Sequence, residues 1–368
     1  MSQNQQAPVD IVYLWVDGSD PIWRRKRAKA AAALSHIGLQ NMALYGNVEG
    51  RFRDNDELLY SLRSVEKFFP DHGHIYVVTD GQTPHWLQAS AQLTLVDHRE
   101  LIPAKSLPTF DSGNIESYIH RISGLSERFF YLNDDVFFGA PVRLDDWFYA
   151  GGTYAAWSDE PAISDEPMRA DATALENACR LSHAWLEAQS GSSQGISAFA
   201  PAPSTAGASV EYQPIFRTFA HSPRPMLRSR MEQLERVAPE LFERVRSTVF
   251  RVWDKPTIVS DFVMRWALAN SHARIREHSH LYVSAGAGNP LELDKALADL
   301  VGAIGSIDFF CVNDTTDNSL PHDPRLRQIR QALDAVFPQA SPFEQPLALS
   351  PKLVCTPCGN ADQLMSVA

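Results

Sequence analysis

Phe129-Phe130-Tyr131-Leu132-Asn133-Asp134-Asp135-Val136 is the stretch from which the fold of this chain is read. Its first four residues form a short apolar run, closed by an Asn-Asp-Asp turn, as expected of a strand buried on both faces. The same pattern recurs upstream. Asp10-Ile11-Val12-Tyr13-Leu14-Trp15-Val16 ends at Asp17-Gly18, Ile75–Thr79 ends at Asp80-Gly81, and Leu93–Val96 ends at Asp97-His98. Helical patterns lie between these runs. One is a basic, alanine-rich segment from about Pro21 to Leu34. Another places Leu58, Leu62, Val65 and Phe69 on one face, with Asp54 as N-cap and Glu57 completing a capping box. A third runs from about Ser112 to Ile122, with Ile115, Ile119 and Ile122 inward. Strands alternating with helices predict an α/β fold with a mostly parallel sheet. Ligands of such sheets sit beyond the carboxyl ends of the strands. Asp17, Asp80, Asp97 and Asp134 are therefore expected along one edge, either as ordinary turn residues or as an acidic site that takes a cation.

The second half is less regular. Residues 190–209 are rich in Ser, Gly, Ala and Pro and read as a loop. Helices are expected near Met226–Arg236, Pro239–Val249 and Ile258–Ala269, with strands at Leu281–Ser284 and Ile307–Val312. The divisions that follow are a flexible 1–9, one catalytic domain over 10–337, and a Pro-rich tail over 338–368. Within the domain, a core of about 10–150 is followed by an insertion of about 151–219 and a second segment of about 220–320.

With 368 residues, 44% hydrophobic and 21% charged, the chain can bury a sizeable core. Its net charge of -11 argues against a nucleic-acid partner. Met1–Val9 lacks the apolar core of a signal peptide, and no run reaches the ~18 apolar residues of a spanning helix. A cytoplasmic protein is expected, with at most peripheral association at the inner membrane. Four cysteines are too few and scattered for a disulfide framework, and Cys355/Cys358 form a lone CxxC read as two reduced thiols. The run Arg24, Arg25, Lys26, Arg27, Lys29 reads as a solvated helix face rather than a lipid or polymer contact.

Several segments carry residue types suited to chemistry. Asp134-Asp135 ends an apolar strand; hard cations such as Mg²⁺ or Mn²⁺ take oxygen ligands and share them with substrate phosphates. A β-turn with solvated carboxylates explains the same residues. Arg51-Phe52-Arg53-Asp54-Asn55 precedes a helix N-terminus, a place for phosphate, though its arginines could equally pair with Asp54, Asp56 or Glu57. Glu116 and His120 are spaced to share a helix face, followed by Arg121, and are candidate substrate contacts. The spacing is not that of a zinc protease, and a structural pair is equally open. His221 suits a base and Arg251 a clamp on a transferring phosphoryl group, if the fold brings them to the acidic edge. Asp314 follows a strand-like run and either completes a metal site or ends a turn.

Taken in order, these segments resemble the Stealth family, whose members include bacterial capsular polysaccharide phosphotransferases and the catalytic part of animal GlcNAc-1-phosphotransferase. Four blocks carry the resemblance: Asp10–Gly18; the long run of Arg51–Glu66, Ile75–Trp86, Leu107–Arg121 and Phe129–Gly139; His221 to about Arg265; and Cys311–Asp314. The resemblance implies a Rossmann-like, glycosyltransferase-A-related core with helical insertions. It implies transfer of a hexose-1-phosphate from a nucleotide-sugar, with a UDP-sugar tried first, to a poly- or oligosaccharide hydroxyl. By position, Asp17 and the Arg51–Asn55 loop look like donor contacts, and Asp134, Asp135 and Asp314 like the site of Mg²⁺ or Mn²⁺. His221 looks like the base and Arg251 like the phosphate clamp. Two other readings use the same residues: a conventional glycosyltransferase releasing a nucleoside diphosphate, and a non-catalytic nucleotide-sugar sensor or scaffold. A metal phosphohydrolase is disfavoured, because Asp17-Gly18-Ser19-Asp20 does not have the nucleophile pattern.

Overall fold

The computed structural model describes residues 8–191, 214–286, 290–314, 316–317 and 323–346. Among them run strands β1 (Val9–Leu14), β2 (Ile75–Thr79), β3 (Leu93–Asp97), β4 (Arg128–Asn133), β5 (Val136–Phe138), β6 (Phe148–Tyr149), β7 (Gly152–Ala155), β8 (Arg224–Leu227), β9 (Ala273–Ile275), β10 (His280–Ser284) and β11 (Phe309–Asn313). The main sheet has the order β3-β2-β1-β4-β8. Its first four strands are parallel and only β8 is antiparallel, so the α/β, mostly parallel expectation holds. A second sheet, β10-β11-β5, and a third, β6-β7-β9, complete the framework.

The continuous apolar runs follow from burial on both faces. Along β1, Val9, Ile11 and Tyr13 enter one core while Val12 and Leu14 enter the other. On β4, Phe130 and Leu132 face the first core and Phe129 and Tyr131 the second. The helix Glu57–Phe68 covers the first face through Leu58, Leu62 and Val65. Helices Arg228–Val237, Pro239–Arg246 and Val263–Ala269 cover the second through Leu234, Phe242 and Val263. Each such side chain contributes roughly 1.5–3 kcal/mol by leaving water.

Several boundaries differ from expectation, each for a local reason. The capping box is displaced: Asp56 (φ 66°) is the N-cap without a side-chain bond. Asp54 instead accepts the Asp56 amide at 3.0 Å and Glu57 the Asn55 amide at 2.6 Å. The helix begun at Ser112 stops at Glu116, and Ile119–Arg121 forms a separate tight turn. The segment expected to be helical from Met226 begins as strand, because Arg224–Leu227 pairs with β4. The helix opened by Pro239 ends at Arg246, and the one expected from Ile258 opens with a π-helical turn over Ile258–Phe262. The start of the expected tail is docked: Phe343 is buried, the Gln88 amide bonds its carbonyl at 2.9 Å, and Arg63 pairs with Glu344 at 2.7 Å. Cys355, Cys358 and most of the 190–209 loop lie outside the described residues. No helix among the described residues is long and apolar enough to cross a membrane.

Candidate functional site

A cavity of about 820 Å³ opens at the carboxyl edge of the main sheet. Its walls come from distant parts of the chain: Arg51 and Arg53, Glu116, Asn133–Asp135, the 158–180 segment, His221, Arg251, Tyr282, and Asn313–Asp314.

The acidic corner is a consequence of topology. β4 belongs to the main sheet and β5 to the second, so the chain changes sheets across Asp134-Asp135 alone. β11 runs antiparallel to β5, with Cys311 opposite Val136, and its Val312 amide bonds the Asp135 carbonyl at 2.9 Å. This brings Asn313 Nδ2 to 3.0 Å from Asp135 Oδ2. The other oxygen, Oδ1, is buried with no hydrogen-bond partner among the described residues. Burial raises the Asp134 carboxyl well above the usual range, and the charges of Asp135 and Asp54 raise it further. Burial also raises Asp135, against the bonds from Asn313 and Cys311. Glu57 is pushed well up, and Asp54 to about 6, by burial first and by neighbouring carboxylates second. Negative charge is thus concentrated here without a side-chain cation against Asp135 Oδ1. Among the described residues, no three His, Cys, Asp or Glu side chains are gathered to hold a metal by themselves.

Across the cavity stands a group of guanidiniums. Arg51 sits in the tight turn Gly50–Phe52, which is held by the Gly50 amide on the Thr316 carbonyl (2.8 Å) and the Gly18 amide on the Phe52 carbonyl (2.7 Å). A Cβ at position 18 would lie 2.1 Å from that Phe52 oxygen, which explains glycine after Asp17. Arg51 Nε is buried and unpartnered among the described residues. Burial, then the neighbouring Arg251, pushes the Arg51 guanidinium down to about 9. Arg251 follows Phe250, which stacks on Phe110 at 5.1 Å; its Nη2 donates to Ser112 Oγ at 2.5 Å. Crowded cations of this kind are stabilised by an anion between them.

His221 lies on the segment entering β8. The Ala220 amide bonds the Ala156 carbonyl at 3.0 Å, and Arg265 holds the preceding residues. The Arg265 Nε donates to both Asp261 oxygens (2.9 and 2.8 Å), its Nη1 donates to the Ile215 carbonyl (2.9 Å), and its Nη2 donates to the Arg217 carbonyl. Its guanidinium also packs 4.9 Å from the Phe219 ring centroid. Burial, with Arg224 and Arg251 nearby, lowers His221 to about 4. The ring is therefore neutral at neutral pH and able to accept a proton. In the same cavity Glu116 accepts from the Tyr131 hydroxyl at 3.0 Å, while its second oxygen is buried and unpartnered among the described residues.

The structure brings Arg51, Arg53, Glu116, Asp134, Asp135, His221, Arg251 and Asp314 to one cavity. Asp314 is already engaged: it forms an ion pair with Arg53 and accepts from the Thr316 amide at 2.9 Å. Four other residues serve the framework. The Asp17 carboxylate caps the Ser19 amide at 2.8 Å. Asn55 is buried, donating to the Leu326 carbonyl at 3.2 Å and accepting from Arg330. His120 meets Glu235 at 2.8 Å, and Arg121 pairs with the same carboxylate, beside a separate shallow surface groove. Asp80 lines the cavity but is paired with Lys26, and Asp97 caps Arg99. The basic helix is also less free than expected, since Arg27 is buried against Phe52 and bonds Asn47 and Glu49. The sequence reading missed Tyr282, Asn313 and the 158–180 wall. Asn313 had a signal, as a polar residue ending an apolar strand beside Asp314; the wall had none.

Comparison with known proteins matches residues 7–35, 51–156 and 305–351 to Stealth protein conserved regions 1, 2 and 4. The fourth-block match is longer than Cys311–Asp314, and His221 and Arg251 lie outside the matched regions. The chain is 34% identical over 342 residues to exopolysaccharide phosphotransferase SCO2592 of Streptomyces coelicolor, covering 92% of this chain and 33% of that protein. It is 32% identical to SCO6023 of the same organism, covering 94% and 54%. With exopolysaccharide phosphotransferase CpsY of Mycobacterium leprae the identity is 31%, covering 92% and 57%. The chain thus spans between a third and about three-fifths of the length of these relatives. Among solved structures, it overlaps the galactosyltransferase LgtC, bound to donor and acceptor sugar analogues, with a TM-score of 0.39 and 12% identity. That match covers 88% of this chain and 95% of LgtC, and so loose an overlap carries no argument about chemistry.

Proposed function

The chain belongs to the Stealth protein family, and from that premise we propose that it transfers a hexose-1-phosphate, GlcNAc-1-phosphate-like, from a UDP-sugar to an acceptor hydroxyl of a growing exopolysaccharide. The observation that carries this reading is the meeting of Arg51, Arg251 and His221 in one cavity, opposite the Asp134-Asp135 pair. Two crowded guanidiniums beside a neutral imidazole suit a reaction in which phosphate is attacked and a proton leaves the nucleophile.

In this mechanism the acceptor oxygen attacks the sugar-side phosphorus of the donor. The bond between that phosphorus and the bridging oxygen breaks, and the bridging oxygen leaves with uridine monophosphate. His221 accepts the acceptor's proton. Arg51 and Arg251 neutralise the oxygens of the transferring phosphoryl group, and because their positions are fixed by the Gly50–Phe52 turn and the Phe110–Phe250 stack, little reorganisation is needed. Asp134 and Asp135, with the unpartnered buried Oδ1 of Asp135, would hold a divalent cation such as Mg²⁺ or Mn²⁺, whose oxygen-ligand chemistry suits a diphosphate. Bound there, it would offset the diphosphate charge. Asp314 supports this corner by fixing Arg53 rather than by binding the metal.

The test is the nucleotide released when the protein, Mg²⁺, a panel of nucleotide-sugars and short saccharide acceptors are incubated together. Uridine monophosphate with a phosphodiester product is expected. Uridine diphosphate would make the chain a conventional glycosyltransferase, and donor binding without turnover across the acceptor panel would favour a sensor.

A further inference from the structure

Tyr282 occupies a position that the fold does not explain. It lies on β10, where Val283 is buried, yet its own ring is 48% exposed and forms part of the cavity wall. The ring centroid is 5.5 Å from that of His221. Its hydroxyl has no hydrogen-bond partner among the described residues. A large aromatic left half in water inside a ligand-sized cavity offers, beyond its contact with His221, apolar surface that a flat ligand can cover.

The groups around that face are acidic. Asp159 lines the same cavity with its carboxylate largely in water, 3.2 Å from the Nε2 of His280, whose ring stacks on Phe309 at 4.9 Å two residues before Tyr282. Glu160 follows on the same wall; burial first, then the charges of Cys311, Asp135 and Glu160, raise the Tyr282 hydroxyl. The cations of the wall are already engaged. Arg169 pairs with Glu166 (3.1 Å) and Asp171 (3.2 Å), and Arg180 donates to the Ser164 carbonyl at 3.2 Å. Carboxylates accept hydrogen bonds from hydroxyls and repel other anions. The 158–180 wall, which the sequence left without a role, thus brings the carboxylates of Asp159 and Glu160 to the same cavity as the base, while the charge of Arg180 is held among neutral acceptors.

We propose that Tyr282, with Asp159 and Glu160, forms the acceptor subsite, in which an uncharged, hydroxyl-rich sugar ring stacks on Tyr282 and presents a hydroxyl to His221. The inference rests on the proposed function for the identity of the reaction, and it adds the residues and the chemical class of the acceptor. A ring bearing a carboxylate or phosphate would meet Asp159 and Glu160 directly and bind worse. Phosphodiester links further along a polymer would lie outside this contact.

The test is saturation-transfer NMR on the full chain with Mg²⁺ and UMP, adding neutral trisaccharides (chitotriose, cellotriose, mannotriose) and, separately, trigalacturonate. At least one neutral trisaccharide should receive saturation and trigalacturonate should receive at least fivefold less. Tyr282→Ala should abolish the neutral signal while the UMP signal persists, and Tyr282→Phe should retain it. Asp159→Asn with Glu160→Gln should narrow the gap between neutral and acidic sugars. Absence of any neutral signal, an equal trigalacturonate signal, or a neutral signal surviving in Tyr282→Ala would each overturn the assignment. A wild-type protein that bound saccharide but gave no UMP signal would instead count against the donor reading.

Discussion

Replacing Arg265 by Met removes the group that anchors the approach to His221, and its cost can be worked from the contacts. Arg265 and Asp261 are each 1% exposed in their ion pair, so neither charge has solvent to fall back on. Removing one partner of such a pair costs about 3–5 kcal/mol, because the other charge stays buried. The Ile215 carbonyl keeps the Arg217 amide as a donor at 3.0 Å, and Ile215 and Arg217 are both within reach of water, so the ion pair dominates the cost. Arg265→Met should therefore lose roughly 3–5 kcal/mol in urea unfolding followed by tryptophan fluorescence, at pH 7.5. Asp261→Asn should lose a similar amount. The double variant Asp261→Leu/Arg265→Met should recover part of the loss, giving a clear coupling in the double-mutant cycle. The variants should differ with pH. Burial already raises the Asp261 carboxyl and Arg265 pulls it down, so Arg265→Met lifts it further. The folded variant then binds a proton that the unfolded chain does not, so its deficit shrinks as pH falls from 7.5 to 5.5. Asp261→Asn has no carboxyl to protonate and should show no such relief. Losses below about 1 kcal/mol in both single variants, or the same pH trend in both, would refute the view that this pair is a tightly coupled buried anchor.

Further expectations concern the cavity. His221→Ala should lower turnover by about 10²–10⁴-fold with donor affinity nearly unchanged, as read by steady-state release of UMP and by calorimetry. The His221 ring, lowered to about 4, stays neutral through the mildly acidic range, so the acid limb of kcat/KM should fall near that value rather than at the ordinary histidine value of about 6.5. For the same reason its contribution to stability is present above about pH 6.5 and is lost as pH falls toward 4, the reverse of a histidine stabilised by a carboxylate. Arg51→Met should weaken UMP binding by about tenfold or more while changing the melting temperature of the free protein little, since it removes the cost of burying the charge and the repulsion from Arg251 but also the attraction of Asp111, Glu116 and Asp135. Asp135→Asn should abolish the Mg²⁺ dependence of UMP binding measured by calorimetry, and an unaltered dependence would remove Asp135 from the cation site.

The sheet was legible because its signal is local. Ile75–Thr79 reads as a strand from its own five residues, and β1 and β4 carry uninterrupted apolar runs that only burial on both faces explains. The strand over Arg224–Leu227 was not legible, because it carries a proline and a buried arginine and exists only through pairing with β4. The same contrast divides the site. Asp134-Asp135, Arg51, His221 and Arg251 carry residue types that invite attention wherever they fall, and the family resemblance gave them an order. Asn55, His120 and Arg121 carry equally inviting types, but their partners Leu326, Arg330 and Glu235 lie far along the chain, and those contacts bind them into the framework. Asp314 was placed in the right cavity, but sequence could not reveal that Arg53 would reach it first. Tyr282 looked like any strand tyrosine, since nothing local says which face of β10 a cavity will leave open.

The pairing of β5 with β11 sets more than the shape of the second sheet. With Cys311 opposite Val136, the next residues along β11 place the amide of Asn313 against Asp135. A slip of one residue would put Asp314 there instead, exchanging a hydrogen-bond donor for a third carboxylate beside Asp134 and Asp135. It would also take Asp314 away from Arg53 and leave that guanidinium unpaired beside Arg51. Strand register is here an electrostatic choice: one alignment leaves a single open oxygen at the acidic corner, and the neighbouring alignment builds a repulsive triad that opposes its own formation.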